Sequence, residues 1–304
     1  MGTSNANGGQ GADTPLVPSW LPSDGPPAPA PLPPPPLPTP DHTPPPPAPL
    51  PEGPGNPPAM PVPPALPPIP APGTADRFRM PRTNFTRFAR SGGTDRASLG
   101  RALSGYVSTS SGGQRSAAQR MGSARAAGAQ LLGVLSSAVA NGGRQTLRTL
   151  NLERLAGRPI EEVFLGLMDY VCRFDGGTVD EGIARDAFVE TIADLAENGI
   201  ADFDGLTFDQ MQIVFELYAT HAIETRICND IGMKAVTVPA DAAAAASVQE
   251  QLFDFIRRSV SDSLMRARDA LQALTRENMG AIVTGIYEQA FGILQTLAEA
   301  EAEQ

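Results

Sequence analysis

Residues 207–232 read TFDQMQIVFELYATHAIETRICNDIG, and this stretch decides the fold. Thr207 and Gln210 stand at the spacing of a capping box, in which each side chain satisfies the other residue's backbone N–H at a helix start. Behind that start, Met211, Val214, Phe215, Tyr218 and Ile227 recur at three- and four-residue steps, the period of one helix face. The same grammar continues on both sides. Thr178 with Glu181, and Ser247 with Glu250, have capping-box spacing too. Val179 opens a helix that buries Ile183, Phe188, Ile192 and Leu195 and stops at Asn198-Gly199. Pro159 takes a first helical position, with Glu161 and Glu162 in the first turn and Val163, Phe164, Leu167, Tyr170 and Val171 as the buried stripe. Two long helices follow at about 245–273 and 276–301, burying Leu252, Phe255, Ile256 and Leu264 on one, and Ile282, Ile286, Tyr287, Phe291 and Leu294 on the other. Met233 to Pro239 reads as an extended link. No run alternates with period two over more than five residues, so the expected fold is all-α, a multi-helix bundle of six to eight helices.

Toward the N-terminus the pattern weakens. A helix is expected over about 114–140, with Gly122, Gly128 and Gly133 in it, as close helix packing would require. A shorter helix starts at Thr94 or Asp95 and carries Leu99, Leu103 and Tyr106 or Val107 on one face, until Ser108–Gly113 breaks it. Residues 76–95, DRFRMPRTNFTRFARSGGTD, read as an ordered or semi-ordered arm, because Pro81 and Gly92-Gly93 argue against one long helix. Before the arm, 29 of the 32 prolines fall between Pro15 and Pro72. Proline lacks an N–H and fixes φ, so residues 1–75 read as a disordered, proline-rich N-terminal region: a polar tip on a polyproline II stalk. The organisation expected is therefore 1–75 tip and stalk, 76–143 basic arm with two small-residue-rich helices, and 144–304 acidic helical body.

The net charge of −10 hides a segregation. Residues 76–128 carry ten Arg against Asp76 and Asp95, a net of +8, while residues 129–304 stand at −14. Two readings of the basic segment stay open. It docks on the acidic helices of its own chain, or Arg77, Arg79, Arg82, Arg87 and Arg90, interleaved with Phe78, Phe85 and Phe88, bind phosphates and stack bases of a nucleic acid.

Catalytic motifs are missing. No Gly-rich stretch ends in Gly-Lys-Ser/Thr, and no G-x-G-x-x-G follows a strand. Asp175 to Glu181 lacks the alternating acids of a calcium loop. His221, Glu224 and Cys228 share a helix face, but the only other histidine, His42, lies in the stalk, so no metal site is expected and His221 reads as a satisfied core histidine. Cys172 and Cys228 sit on apolar faces, where thiols stay protonated. Asp194 and Glu197 read as solvated surface. The expected protein is non-enzymatic, without cofactor, and cytoplasmic: no signal peptide opens the chain and no 18-residue apolar run crosses a membrane. Ala6 stands where myristoylation wants Ser or Thr.

Several segments together carry a resemblance. They are Met1-Gly2-Thr3-Ser4, the box Thr14-Pro15-Leu16-Val17-Pro18-Ser19-Trp20-Leu21 after which the proline-rich spacer runs, Asp76–Arg79, Asn84–Phe88, Ser108–Gly113, Gln119–Ser123, Phe215–Ala222 and Cys228–Gly232. In order and wording they resemble the QatB family of the bacterial Qat anti-phage defence system. The resemblance implies companions: a P-loop ATPase, a TatD-like nuclease, and a QueC-like enzyme (QatC-like) related to the 7-cyano-7-deazaguanine synthase of queuosine biosynthesis. It implies a non-catalytic partner protein whose tip is presented to the QueC-like enzyme. Small Gly2 favours removal of Met1, and the freed Gly2 amine is then suited to conjugation. In that picture Thr3 and Ser4 are read beside it, and Leu16, Val17 and Trp20 anchor the segment.

Overall fold

A computed structural model describes residues 77–173, 176–232 and 241–304. The tip, the stalk and the 233–239 link lie outside the described residues. Those described form eleven α-helices and no strand, so the all-α expectation holds, with more helices than the six to eight expected.

Helix α8 (Phe208–Ile231) is the axis of the body. Its capping box forms in both directions, Thr207 Oγ1 accepting from Gln210 N and Thr207 N donating to Gln210 Oε1. Periodicity gives it one apolar stripe, yet Leu217, Thr220, His221 and Ile223 are buried as well as Val214, Phe215 and Tyr218. A helix buried on most of its circumference has neighbours on several sides. Here they are α4 (Gly122–Asn141), α7 (Val179–Asp194) and α9 (Ala242–Arg266). The Thr178–Glu181 box caps α7 as expected. The terminal helix α11 (Met279–Ala302) packs along α2 (Arg96–Gly105) and α9, and also meets α4 and α3 (Gln114–Gln119). Where α2 meets the end of α11, a Cβ on Gly100 would stand 2.5 Å from the Ala298 carbonyl oxygen and 2.6 Å from Ala302 N. Only a glycine admits the α11 backbone there. One continuous apolar core runs from Phe85 to Ala298. The smaller α5 (Gly143–Thr149), α6 (Ile160–Val171) and α10 (Arg268–Gln272) close its sides.

Several boundaries differ from expectation. The arm is a true helix, α1 (Arg79–Arg90): Pro81 sits in its first turn, where the missing N–H has no intrahelical partner to lose. Asp95, not Thr94, caps α2, its side chain accepting from Ser98 N. The chain after α2 first passes through a π-helical turn, Tyr106–Ser110, before Gly112 and Gly113 turn it at positive φ. The expected 114–140 helix is two, broken at Arg120–Met121; Gly122, at φ +33°, lets the chain pass 2.8 Å from Asp180 Oδ2 by the measure of an added Cβ. Ser247 caps nothing. Helix α9 begins a turn and a half earlier, capped by Asp241, because the alanines of 242–246 are strong helix formers. Pro159 is the N-cap of α6, one residue outside the position expected. The last two helices divide at Ala267 and start again at Met279, after a loop in which Asn278 Oδ1 accepts from Thr275 N.

Candidate functional site

Gly2, Thr3, Ser4, Leu16, Val17 and Trp20 lie outside the described residues. The described chain begins at Arg77, and a dense polar knot stands there. Arg77 donates from Nε and Nη2 to the Ser110 carbonyl, and Ser110 Oγ returns a bond to the Arg77 carbonyl at 2.6 Å. Phe78 stacks on Tyr106 at 5.6 Å, with the Arg77 and Arg120 guanidinium groups over its ring. Beneath the ring, Asp230 Oδ2 accepts from Tyr106 Oη at 2.9 Å, Arg120 Nη2 at 2.8 Å and Arg226 Nε at 3.2 Å. Arg226 also pairs with Asp180 at the start of α7. Burial works against the charge of Arg226, but Asp230 and Asp180 outweigh it and raise its pKa. Burial, then the neighbouring Arg120, lowers that of Arg77. Arg120 and Arg226 thus share the carboxylates of Asp230 and Asp180 while Arg77 holds the Ser110 carbonyl, and the knot ties α1, the π turn, α3, α7 and α8 to one point. The sequence reading gave Arg226 and Asp230 no role in a site, although Asp230 lies in the Cys228–Gly232 segment of the resemblance and the two stand i, i+4 on α8.

The five arginines singled out in the arm separate. Arg77 is in the knot, and Arg82 donates to the Ile231 carbonyl at 2.5 Å. Arg79, Arg87 and Arg90 are exposed on the outer face of α1. The interleaved aromatics are not free to stack bases: Phe85 and Phe88 are buried in the core, edge to face at 5.7 Å, and Phe78 is taken by Tyr106. The ordered or semi-ordered arm expected here is an amphipathic helix with Phe85 and Phe88 turned inward. Farther along, Arg96 pairs with Glu301, Arg115 with Glu288 and Arg120 with Asp230, so much of the basic segment does dock on acids of its own chain.

A cleft of about 530 Å³ lies between α7, α8 and α9, lined by Glu190, Asp194, His221, Glu224, Cys228 and Glu250 among others. His221 Nε2 stands 2.8 Å from Asp194 Oδ2, and its ring rests on Phe253 at 5.0 Å. The histidine is therefore the satisfied group that was expected, and Asp194 is its partner rather than plain surface. Burial first, then Glu190 and Asp194, pushes Glu224 up to about 7. Burial raises both thiols, Cys172 to about 11 and Cys228 to about 12, so neither is a ready thiolate. Among the described residues no group of three His, Cys, Asp or Glu side chains could hold a metal ion, and no helix is long and apolar enough to cross a membrane. A second, larger groove of about 690 Å³ follows α4 and is floored by small residues such as Gly133, Ser137 and Ala140.

The model of the family described as "Qat anti-phage system associated protein QatB" matches residues 112–294, more than half of the chain. The matched part runs from the glycine turn before α3 through most of α11 and includes α8 whole. No curated protein and no solved structure matches the chain.

Proposed function

Because the chain belongs to the QatB family, we propose that it is a non-catalytic partner protein of a Qat-type anti-phage assembly. Its helical body docks companions, and its N-terminal tip is the working end. The QueC-like companion belongs to an enzyme class that activates a carboxyl group with ATP and delivers an amine to it. In our reading that amine is Gly2, freed by loss of Met1. The Gly2 nitrogen attacks the activated carbonyl carbon, the activating group leaves with the bonding pair, and the amine gives up a proton, leaving a deazaguanine joined to the protein by an amide. A terminal amine has a pKa near 7.7–8.0, so a useful fraction is nucleophilic at neutral pH without a base supplied by this chain. Thr3 and Ser4 flank the acceptor, and Leu16, Val17 and Trp20 hold the segment to the enzyme.

Family membership carries this reading. The body's chemistry supports it: its thiols are raised by burial and its buried histidine is held by Asp194. The test is mass spectrometry of the intact protein and of its N-terminal peptide, after expression with and without the QueC-like companion. A companion-dependent mass increase on Gly2 is expected, together with loss of co-purification when residues 2–21 are deleted. An unmodified Gly2 in both samples would sink the acceptor role.

A further inference from the structure

The outer face of α1 carries a row of basic residues, and the outer face of α7 carries a row of acids at the same spacing. On α1, Arg79, Thr83 and Arg87 follow one another at i, i+4 and i+8, all exposed. On α7, Asp186, Glu190 and Asp194 do the same, with Asp186 and Glu190 exposed and a single exposed cation, Arg185, beside them. Each row covers about 12 Å at 1.5 Å per residue. Each also has an unusually exposed apolar side chain on its own helix, Met80 (67%) on α1 and Val189 (48%) on α7. Among the described residues no salt bridge is formed by Arg79, Arg87, Asp186 or Glu190, and Arg87 acts on its own chain only through the field it exerts on Asp95, whereas the neighbouring Arg82 and Asp194 are both taken up internally.

We propose that the α1 arginine row of one molecule docks on the α7 acidic row of a second copy, so that the protein self-associates. This proposal is independent of the Gly2 reading. Charge complementarity at equal spacing argues for a second copy, since both halves of the contact are carried by this chain. Arginine with methionine is the composition of protein contacts. A nucleic acid would gain phosphate contacts from Arg79 and Arg87 but no stacking, because Phe85 and Phe88 are buried. Glu250, across the cleft from Glu190, adds a further carboxylate to the receiving face. The contact pairs unlike surfaces, so it closes as a two-fold dimer where both seats are used at once and otherwise grows into a longer array.

Sedimentation velocity of the full chain tests this. Species larger than the monomer are expected at about 50 mM salt, dissociating at about 500 mM as screening shortens the reach of exposed charges. Arg79→Glu with Arg87→Glu should weaken self-association at least tenfold, and so should Asp186→Arg with Glu190→Arg. Mixing the two reversed proteins, each monomeric alone, should restore a complex, because the unaltered α7 row of one meets the unaltered α1 row of the other and the two reversed rows also complement each other. That restoration also shows that both variants fold. A monomer at every salt concentration overturns the proposal, as does association indifferent to the reversals or failure of the mixture. A monomer whose α1 arginines instead shift a fluorescent DNA duplex overturns it in favour of a phosphate-backbone contact.

Discussion

Glu224 shows what one side chain does to the pH dependence of the whole. Its carboxyl, 4.5 in the ordinary case, is held at about 7 by burial and by Glu190 and Asp194. The folded state therefore keeps a proton that the unfolded chain has released over the window from about 4.5 to 7. With a folded pKa above the unfolded one, a carboxyl costs stability as pH rises through that window, the reverse of a salt-bridged acid. Glu224→Gln should remove up to about 3 kcal/mol of the stability lost between pH 5 and pH 8. Urea unfolding of both proteins at the two pH values checks it, and an unchanged difference would mean that another group holds the proton. The sequence showed His221, Glu224 and Cys228 on one face of α8, and that much was legible because helical spacing is local. It could not show Asp194 as the histidine's partner or Glu190 and Glu250 across the cleft, since those neighbours come from α7 and α9 and only tertiary packing brings them in.

Among the elements, capping chemistry proved legible wherever it competed with nothing else. The Thr178 and Thr207 boxes close as spaced, and Asp95 caps α2. Ser247 failed because the alanine run before it extends α9 through the site, and Pro81 misled because its position within the first turn decides whether it breaks a helix. The split at Arg120–Met121 has one local signal, Gly122, whose positive φ opens α4. It is imposed by the knot, which needs Arg120 over Phe78 and on Asp230 while α4 turns away toward α8. The close backbone joint of α2 on α11 makes its own prediction. Gly100→Ala would drive a methyl into the Ala298 carbonyl and Ala302 N. The helices must then separate, at a cost of about 1–3 kcal/mol, read as a lowered urea midpoint with the m-value unchanged. Gly113→Ala at the start of α3 is the useful contrast. Nothing lies within 4 Å of its added carbon, so its cost comes from backbone conformation alone at φ +95°.

For the whole molecule, the segregated charge read from the sequence turns out to be used inward and outward. Arg96, Arg115 and Arg120 clasp α11 and α8, while Arg79 and Arg87 stay on the surface. Which arginine goes where was not legible, because a basic run has the same composition in either case. The close joint at Gly100 also sets a timetable for the newborn chain. Helix α2 leaves the ribosome about 200 residues ahead of the last turn of α11, the surface it is shaped to fit. At roughly 5–20 residues per second, that leaves the first helices waiting some 10–40 s with Leu99, Leu103 and Phe88 uncovered. A chain stopped before Met279 should therefore partition to the insoluble fraction and bind a hydrophobic dye, rather than fold as a shortened body. During every round of synthesis, the early helices are a natural client for chaperones until the final helix arrives.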